Sequence, residues 1–267
     1  LECSALRSGY SFRAIGVGGA WHGLGSKLAL YDRALKELVG TEIAPTDPVL
    51  LLDAWDTVLL GPAEELREKL HAMGIMQPGG WVLGAADRIC APEYRLALQV
   101  ERMFSPARTP WRYPNSGAFA GTGEALQTFL HYLVHSSVGG SFSEDGDDQL
   151  RVQTFLLACA AAGSPFPFYL DTDCAVFQCM GEPTCGWDYE PQQPHPRIRN
   201  RVTGERPLLA HGCGGHGRWF LADVYRELQL LSHLGLAESH LAGYRYAGLV
   251  PPGQKVTAAH WVEQPPW

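Results

Sequence analysis

The absences in this chain narrow its function first. No run approaches the roughly 18–20 consecutive apolar residues that span a bilayer, although 46% of the 267 residues are hydrophobic. A basic excess is missing too: 21 Lys and Arg against 28 Asp and Glu leave a net charge of −7, which excludes a general affinity for the nucleic-acid polyanion. There is no Walker A loop, no Gly-x-Ser-x-Gly elbow and no His-x-Asp pair, so P-loop, α/β-hydrolase and non-haem iron chemistry have no anchor here. Internal repeats, heptads and low-complexity runs are absent. The seven cysteines are too few and too scattered for a disulfide framework. Cys179 and Cys185 bracket a loop containing Gly181 and Pro183, where a local bridge and a pair of free thiols are both compatible with the spacing. No partner pair of Cys or His stands at the matching spacing for a zinc site. The chain opens on Leu1, and LECSALRSGY lacks the form of a signal peptide, so it reads as a segment of a longer precursor.

Apolar runs alternate with amphipathic patterns, which predicts one α/β domain. Strands are expected at Ser11–Val17, Pro48–Asp53, Trp81–Ala85, Gly117–Gly121, Pro167–Leu170 and Pro207–Ala210. Helices are expected at Lys27–Val39, Pro62–Ala72, Thr122–Leu133 (opened by a Thr cap), Asp147–Ala162 and Arg218–Leu231. The Pro-, Gly- and Gln-rich stretch Gly181–His195 reads as an irregular surface loop. The simplest division is a domain over 1–248 followed by a Pro-rich tail or linker over 249–267.

Three clusters carry chemistry. In LLLDAWDTVLL, the strongest strand delivers Asp53 to its end and Asp56 follows one short turn later. Open α/β sheets bind ligands at the carboxyl ends of their strands, and two carboxylates placed there repel unless a cation neutralises them. Their hard oxygens suit Mg²⁺ or Mn²⁺, with a diphosphate completing the shell. A turn cap at Asp53 with a solvated Asp56 accounts for the same pattern. In LLAHGCGGHGRWFL, His211 ends a strand and Gly212 and Gly214 begin a turn into a helix, where backbone N–H groups approach an anion closely. His211 can complete a metal shell as neutral imidazole; a surface-loop histidine is the plainer alternative. Gly212, Gly214 and Gly217 match the dinucleotide fingerprint in form, but too little chain follows to build a nucleotide-binding half. The third cluster, Glu144 to Gln149, includes Asp147 and Asp148 at a helix start, either as helix-terminal charges or as carboxylates that orient an acceptor hydroxyl. Asn115 lies in an Asn-Ser-Gly corner before a strand, and Lys27 stands at a helix start near the turn that contains Trp21.

Taken in order, GVGGAWHG, GLGSKLAL, LLLDAWDTVLLGPAEEL, GAADRICAPE, YPNSGAFAG, DDQL, LDTDCAVFQ and RIRN…PLLAHGCGG resemble the glycosyltransferase domain of the procollagen-lysine hydroxylases, the multifunctional lysyl hydroxylases. The likeness runs from about Ser4 to Leu228. It implies a GT-A-like fold with a Rossmann-type nucleotide-binding sheet flanked by helices, Mn²⁺ or another divalent cation, and a UDP-sugar donor. Asp53, Asp56 and His211 then hold the metal. Trp21, Lys27, Asp53, Gly212 and Gly214 fall at the donor site, and Asn115, Asp147 and Asp148 at the reacting sugar and acceptor. A further family strand is expected before Leu1. The chain departs from the family at Cys213, where the family has Asn, at Ala118, where it has Gly, and at Arg218, where its basic residue comes one position late. The implied activity is transfer of glucose or galactose to a hydroxyl on a protein or glycan in the secretory lumen. The competing expectation is a non-catalytic glycosyltransferase-like binding domain.

Overall fold

A computed structural model describes residues 1–77, 79–104, 108–181, 186–191 and 195–236, with only the backbone of 215 and 216 included. In chain order the elements are α1 (Glu2–Arg7), α2 (Ser26–Leu38), β1 (Pro48–Leu52), β2 (Thr57–Leu59), α3 (Ala63–Ala72), β3 (Val82–Asp87), α4 (Ala97–Met103), β4 (Tyr113–Thr122), α5 (Gly123–His135), α6 (Asp148–Ala161), β5 (Phe168–Leu170), β6 (Phe177–Cys179), β7 (Trp187–Glu190), β8 (Arg197–Asn200), β9 (Leu209–His211), α7 (Gly214–Glu227) and α8 (Leu230–Leu234).

The expected α/β class holds. The central sheet has the order β1-β4-β3-β5. It is mixed: β4 runs antiparallel to both β1 and β3, and β3 runs parallel to β5. Side chains alternate across it as the pleat requires. Val82 and Phe119 join one apolar cluster with Leu126 and Phe129 of α5 and Phe155 of α6. Leu83, Ala118 and Ala120 join a second with Leu66 and Leu70 of α3. Both faces are therefore covered, which explains why these strands read as near-continuous apolar runs. Phe129 anchors the first cluster, its ring centroid 5.4 Å from Phe119 in an edge-on arrangement that favours aromatic contact and 5.6 Å from Phe168 in a tilted one.

A second sheet, β2-β9-β6, pairs β2 antiparallel and β6 parallel to β9. It sets His211 opposite both Thr57 and Cys179. The β7–β8 hairpin forms a third sheet.

The structure corrects several expectations. Ser11–Val17 is not a strand: Gly16 and Gly18 take positive φ of 79° and 71°, Val17 is exposed, and Arg13 reaches across to Glu42 at 2.9 Å. Phe12 and Ile15 of this stretch pack, partly buried, against the two apolar clusters instead of entering a ladder. Gly181–His195 is not wholly irregular, because Trp187–Glu190 forms β7, whose partner β8 supplies the register. Residues 182–185 and 192–194 lie outside the described residues, and so does the expected tail at 249–267. Of the two cysteines for which the sequence left a bridge and free thiols equally open, Cys179 is a buried free thiol, and Cys185 lies outside the described residues. The last helix begins at Gly214, earlier than expected, and breaks at Gln229, whose φ is 54°. Among the described residues, no helix is long and apolar enough to cross a membrane.

Candidate functional site

The strand β1 ends where Leu52 pairs with Ala118. The next residue, Asp53, donates its backbone N–H to the carbonyl of Gly117 at 2.9 Å, which fixes the direction in which its carboxylate leaves the sheet. Four residues on, Thr57 Oγ1 closes the turn with a 2.5 Å hydrogen bond to the Asp53 carbonyl, and β2 begins. This short turn carries Asp56. The second sheet then brings His211 alongside, because β2 pairs with β9 and the Gly212 N–H donates to the Asp56 carbonyl at 2.7 Å.

The result is a cluster in which one oxygen of Asp53, one of Asp56 and one ring nitrogen of His211 lie within 4.8 Å of one another. His211 Nε2 is 3.7 Å from Asp53 Oδ2 and 3.6 Å from Asp56 Oδ1. Arg218 Nε, on the first turns of α7, is 3.7 Å from Asp56 Oδ2. His211 is 2% exposed. Burial opposes its charged form, but the hydrogen bond and charge of Asp56 outweigh that and raise its pKa to about 9. Burial works against the Asp56 carboxylate as well, and here too the His211 contact prevails, holding its pKa below the usual range.

The neighbouring β4 makes room for the imidazole. The register of β3 against β4 passes from Gly84–Phe119 directly to Ala85–Asn115, so Ser116, Gly117 and Ala118 bulge away from β3. Bulges re-aim side chains at functional sites. At Gly117 a Cβ would stand 2.1 Å from His211 Cε1, so only glycine allows the ring to lie there.

An open cavity of about 160 Å³ faces this cluster, lined by Leu24, Lys27, Asp53, Asp56, Asn115, Ser116, Gly117, Asp148, Gln149, His211, Cys213 and Gly214. Lys27 comes from the first turn of α2 and pairs with two carboxylates, Asp53 Oδ1 at 2.8 Å and Asp148 Oδ2 at 2.5 Å. Burial alone would favour a neutral amine, but those two anions drive its pKa above the normal lysine value. Asn115 accepts from the Gly117 N–H at 2.8 Å and donates to Asp87 Oδ2 at 3.3 Å.

Of the residues singled out from sequence, Lys27, Asp53, Asp56, Asn115, Asp148, His211 and Gly214 therefore meet at one cavity. The other three sit differently. Asp147 caps α6, its Oδ1 accepting from Leu150 N at 2.7 Å, and burial raises its pKa despite that bond. Gly212 packs against Gly217, where a Cβ would come within 2.9 Å of the Gly217 carbonyl. Trp21 is 51% exposed on the loop before α2, and Leu24 of the same loop reaches the cavity wall.

Sequence reasoning missed Asp87 and Leu24, whereas Ser116, part of the Asn-Ser-Gly corner, does line the cavity. Asp87 is buried at the end of β3 and touches Asn115 and Cys213, the latter with Sγ 3.5 Å from Oδ2. A charge closing an apolar run was the available signal, the same one that marked Asp53. Gln149, which closes the acidic cluster in the sequence without a role of its own, holds the bulge through Ser116 N at 3.4 Å and the Ala91 carbonyl at 2.7 Å.

A family model described as PLOD GT domain matches residues 2–221. No curated protein matches the chain.

Proposed function

The chain belongs to the PLOD glycosyltransferase-domain family, and on that premise we propose that it moves a hexose, glucose or galactose, from a UDP-sugar to a hydroxyl on a protein or glycan acceptor, with Mn²⁺ as the resident cation. The observation that carries this reading is the convergence of Asp53, Asp56 and His211, two separate stretches of chain, on one point at the cavity wall. Two carboxylates and an imidazole suit Mn²⁺ and leave positions open for phosphate oxygens. The glycine cradle at position 117, which any Cβ would fill, also fits a site built to hold the ring at a set place. When bound, the cation supplies Lewis-acid charge at the departing diphosphate.

The chain's own groups account for the rest. Lys27 brings a buried positive charge to the same cavity, and Gly214 brings the N-terminus of α7, whose free N–H groups favour an anion. Both suit a diphosphate. Asp148 opens on the cavity and is the carboxylate we assign to the sugar or the acceptor hydroxyl. Asp147 acts through the start of α6, because its oxygen is committed to the cap. Asn115, locked between Gly117 and Asp87, orients the sugar. We place the reaction in the secretory lumen on the family likeness to the procollagen-lysine hydroxylases.

A second reading, a domain that binds without catalysing, draws on Lys27, which already neutralises Asp53 without any metal. UDP release measured across a panel of nucleotide sugars with Mn²⁺ separates the two. The catalytic reading expects turnover with UDP-glucose or UDP-galactose, and a loss of roughly a hundredfold or more in kcat/KM for Asp53→Ala and for Asp56→Ala, the scale of losing a key charge-stabilising group. No turnover with any donor, or unchanged turnover in both variants, decides for the binding domain.

A further inference from the structure

A second group of metal-ligating side chains lies away from the donor cavity, between α2 and α5. Asp32 projects from α2, and His131 and His135 stand one helical turn apart on α5, a spacing that puts both on one face. One oxygen of Asp32 and one ring nitrogen of each histidine lie within 4.8 Å of one another. The two imidazoles are close, with centroids 4.8 Å apart. Asp32 is only 4% exposed, and its Oδ1 is buried without a hydrogen-bond partner among the described residues. A carboxylate oxygen buried in this way costs stability unless something positive reaches it.

The hydrogen bonding around His135 is in conflict. Its Nε2 is 2.8 Å from Asp32 Oδ2, which can only accept, and 2.9 Å from Lys36 Nζ, which can only donate. A neutral imidazole nitrogen is either donor or acceptor, never both. Protonating the ring satisfies Asp32 but sets an imidazolium against an ammonium. Lys36, also 2.7 Å from Asp32 Oδ2, therefore holds the place of a cation without satisfying its neighbours. A dication there would accept the lone pair of Nε2 and the charge of Asp32 together, while the half-exposed Lys36 side chain swings into water.

We propose that Asp32, His131 and His135 form a site for a transition-metal dication of the Zn²⁺ class that staples α2 to α5. Imidazole and carboxylate are the donors such ions take, and three protein ligands leave a fourth position for water. The site shares no residue with the donor cavity, so its fate is independent of the proposed transferase activity.

Zinc titration of the full chain by calorimetry, in saturating Mn²⁺, tests this. Wild type should bind one more Zn²⁺ per chain than His131→Ala/His135→Ala, at micromolar concentration, and His131→Ala alone should weaken that event about tenfold or more, as ligand-shell losses do. Lys36→Met should tighten it several-fold, because the competing ammonium is gone; a mere helix clamp predicts no gain. Equal zinc uptake in wild type and double variant, binding only at millimolar zinc, or no gain in Lys36→Met overturns the proposal. The Lys36→Met arm keeps the test decisive even if the double variant folds poorly.

Discussion

At the scale of single residues, the site depends on one missing side chain. The imidazole of His211 occupies the space that a Cβ on residue 117 would need, with a separation of 2.1 Å, and β4 bulges there without paired backbone on the β3 side. Gly117→Ala should therefore displace the ring and leave the fold largely intact, since overpacking at one point costs about 1–3 kcal/mol. The expected result is at least a tenfold loss of Mn²⁺ affinity, read by calorimetry or by Mn²⁺ electron paramagnetic resonance, with near-native circular dichroism. Undiminished affinity would mean that His211 does not ligate the ion.

At the scale of elements, α5 illustrates how local chemistry and packing agree. Thr122 ends β4 in extended conformation and its hydroxyl accepts from the Ala125 N–H at 3.2 Å, so one residue closes a strand and opens a helix. The helix then buries Leu126, Phe129, Leu130 and Leu133, a spacing that follows the 3.6-residue period. Thr122→Ala should cost about 1 kcal/mol, seen as a drop of about 2–4 °C in Tm, without altering donor turnover. Both the cap and the stripe were legible because they are local. The hairpin β7–β8 was not. Trp187–Glu190 is punctuated by a Pro- and Gln-rich neighbourhood, and its strand character comes from pairing with Arg197–Asn200, a partner that periodicity within one segment cannot reveal. The same holds in reverse for Ser11–Val17, whose apolar pattern found no strand to pair with.

At the scale of the whole molecule, the cluster of Asp53, Asp56 and His211, joined by Lys27 and Asp148, ties together two sheets, α2 and α6. A cation bound there should stabilise the entire domain by mass action, about 2.7 kcal/mol at a hundredfold excess over Kd, which corresponds to a rise in Tm of about 5–10 °C for a chain of this size. The effect should depend on pH in a defined direction. With its pKa raised to about 9, His211 in the metal-free protein is an imidazolium paired with Asp56. That pair contributes stability that is complete below the unfolded histidine pKa of about 6.5 and fades as pH rises through 9. Metal binding has the opposite trend, because the proton must leave before the nitrogen can ligate. The gap in Tm between Mn²⁺-loaded and chelator-treated protein should therefore widen from pH 6.5 to 9. A constant gap across that range would exclude His211 from the shell.

The fold class, the strands that deliver Asp53 and His211, the capped helices and the Asp-x-x-Asp spacing were all determined by the sequence alone, since each rests on interactions among neighbours along the chain. Tertiary structure decided the rest. It set Asp87 behind Asn115, made Gly117 the floor beneath the imidazole, brought Asp148 to the cavity, and set Asp32 against His131 and His135. The physical reason is common to all of these. Propensity and periodicity act over a few residues, whereas the burial and electrostatic contacts that define a site join side chains whose proximity exists only after the sheets and helices have packed.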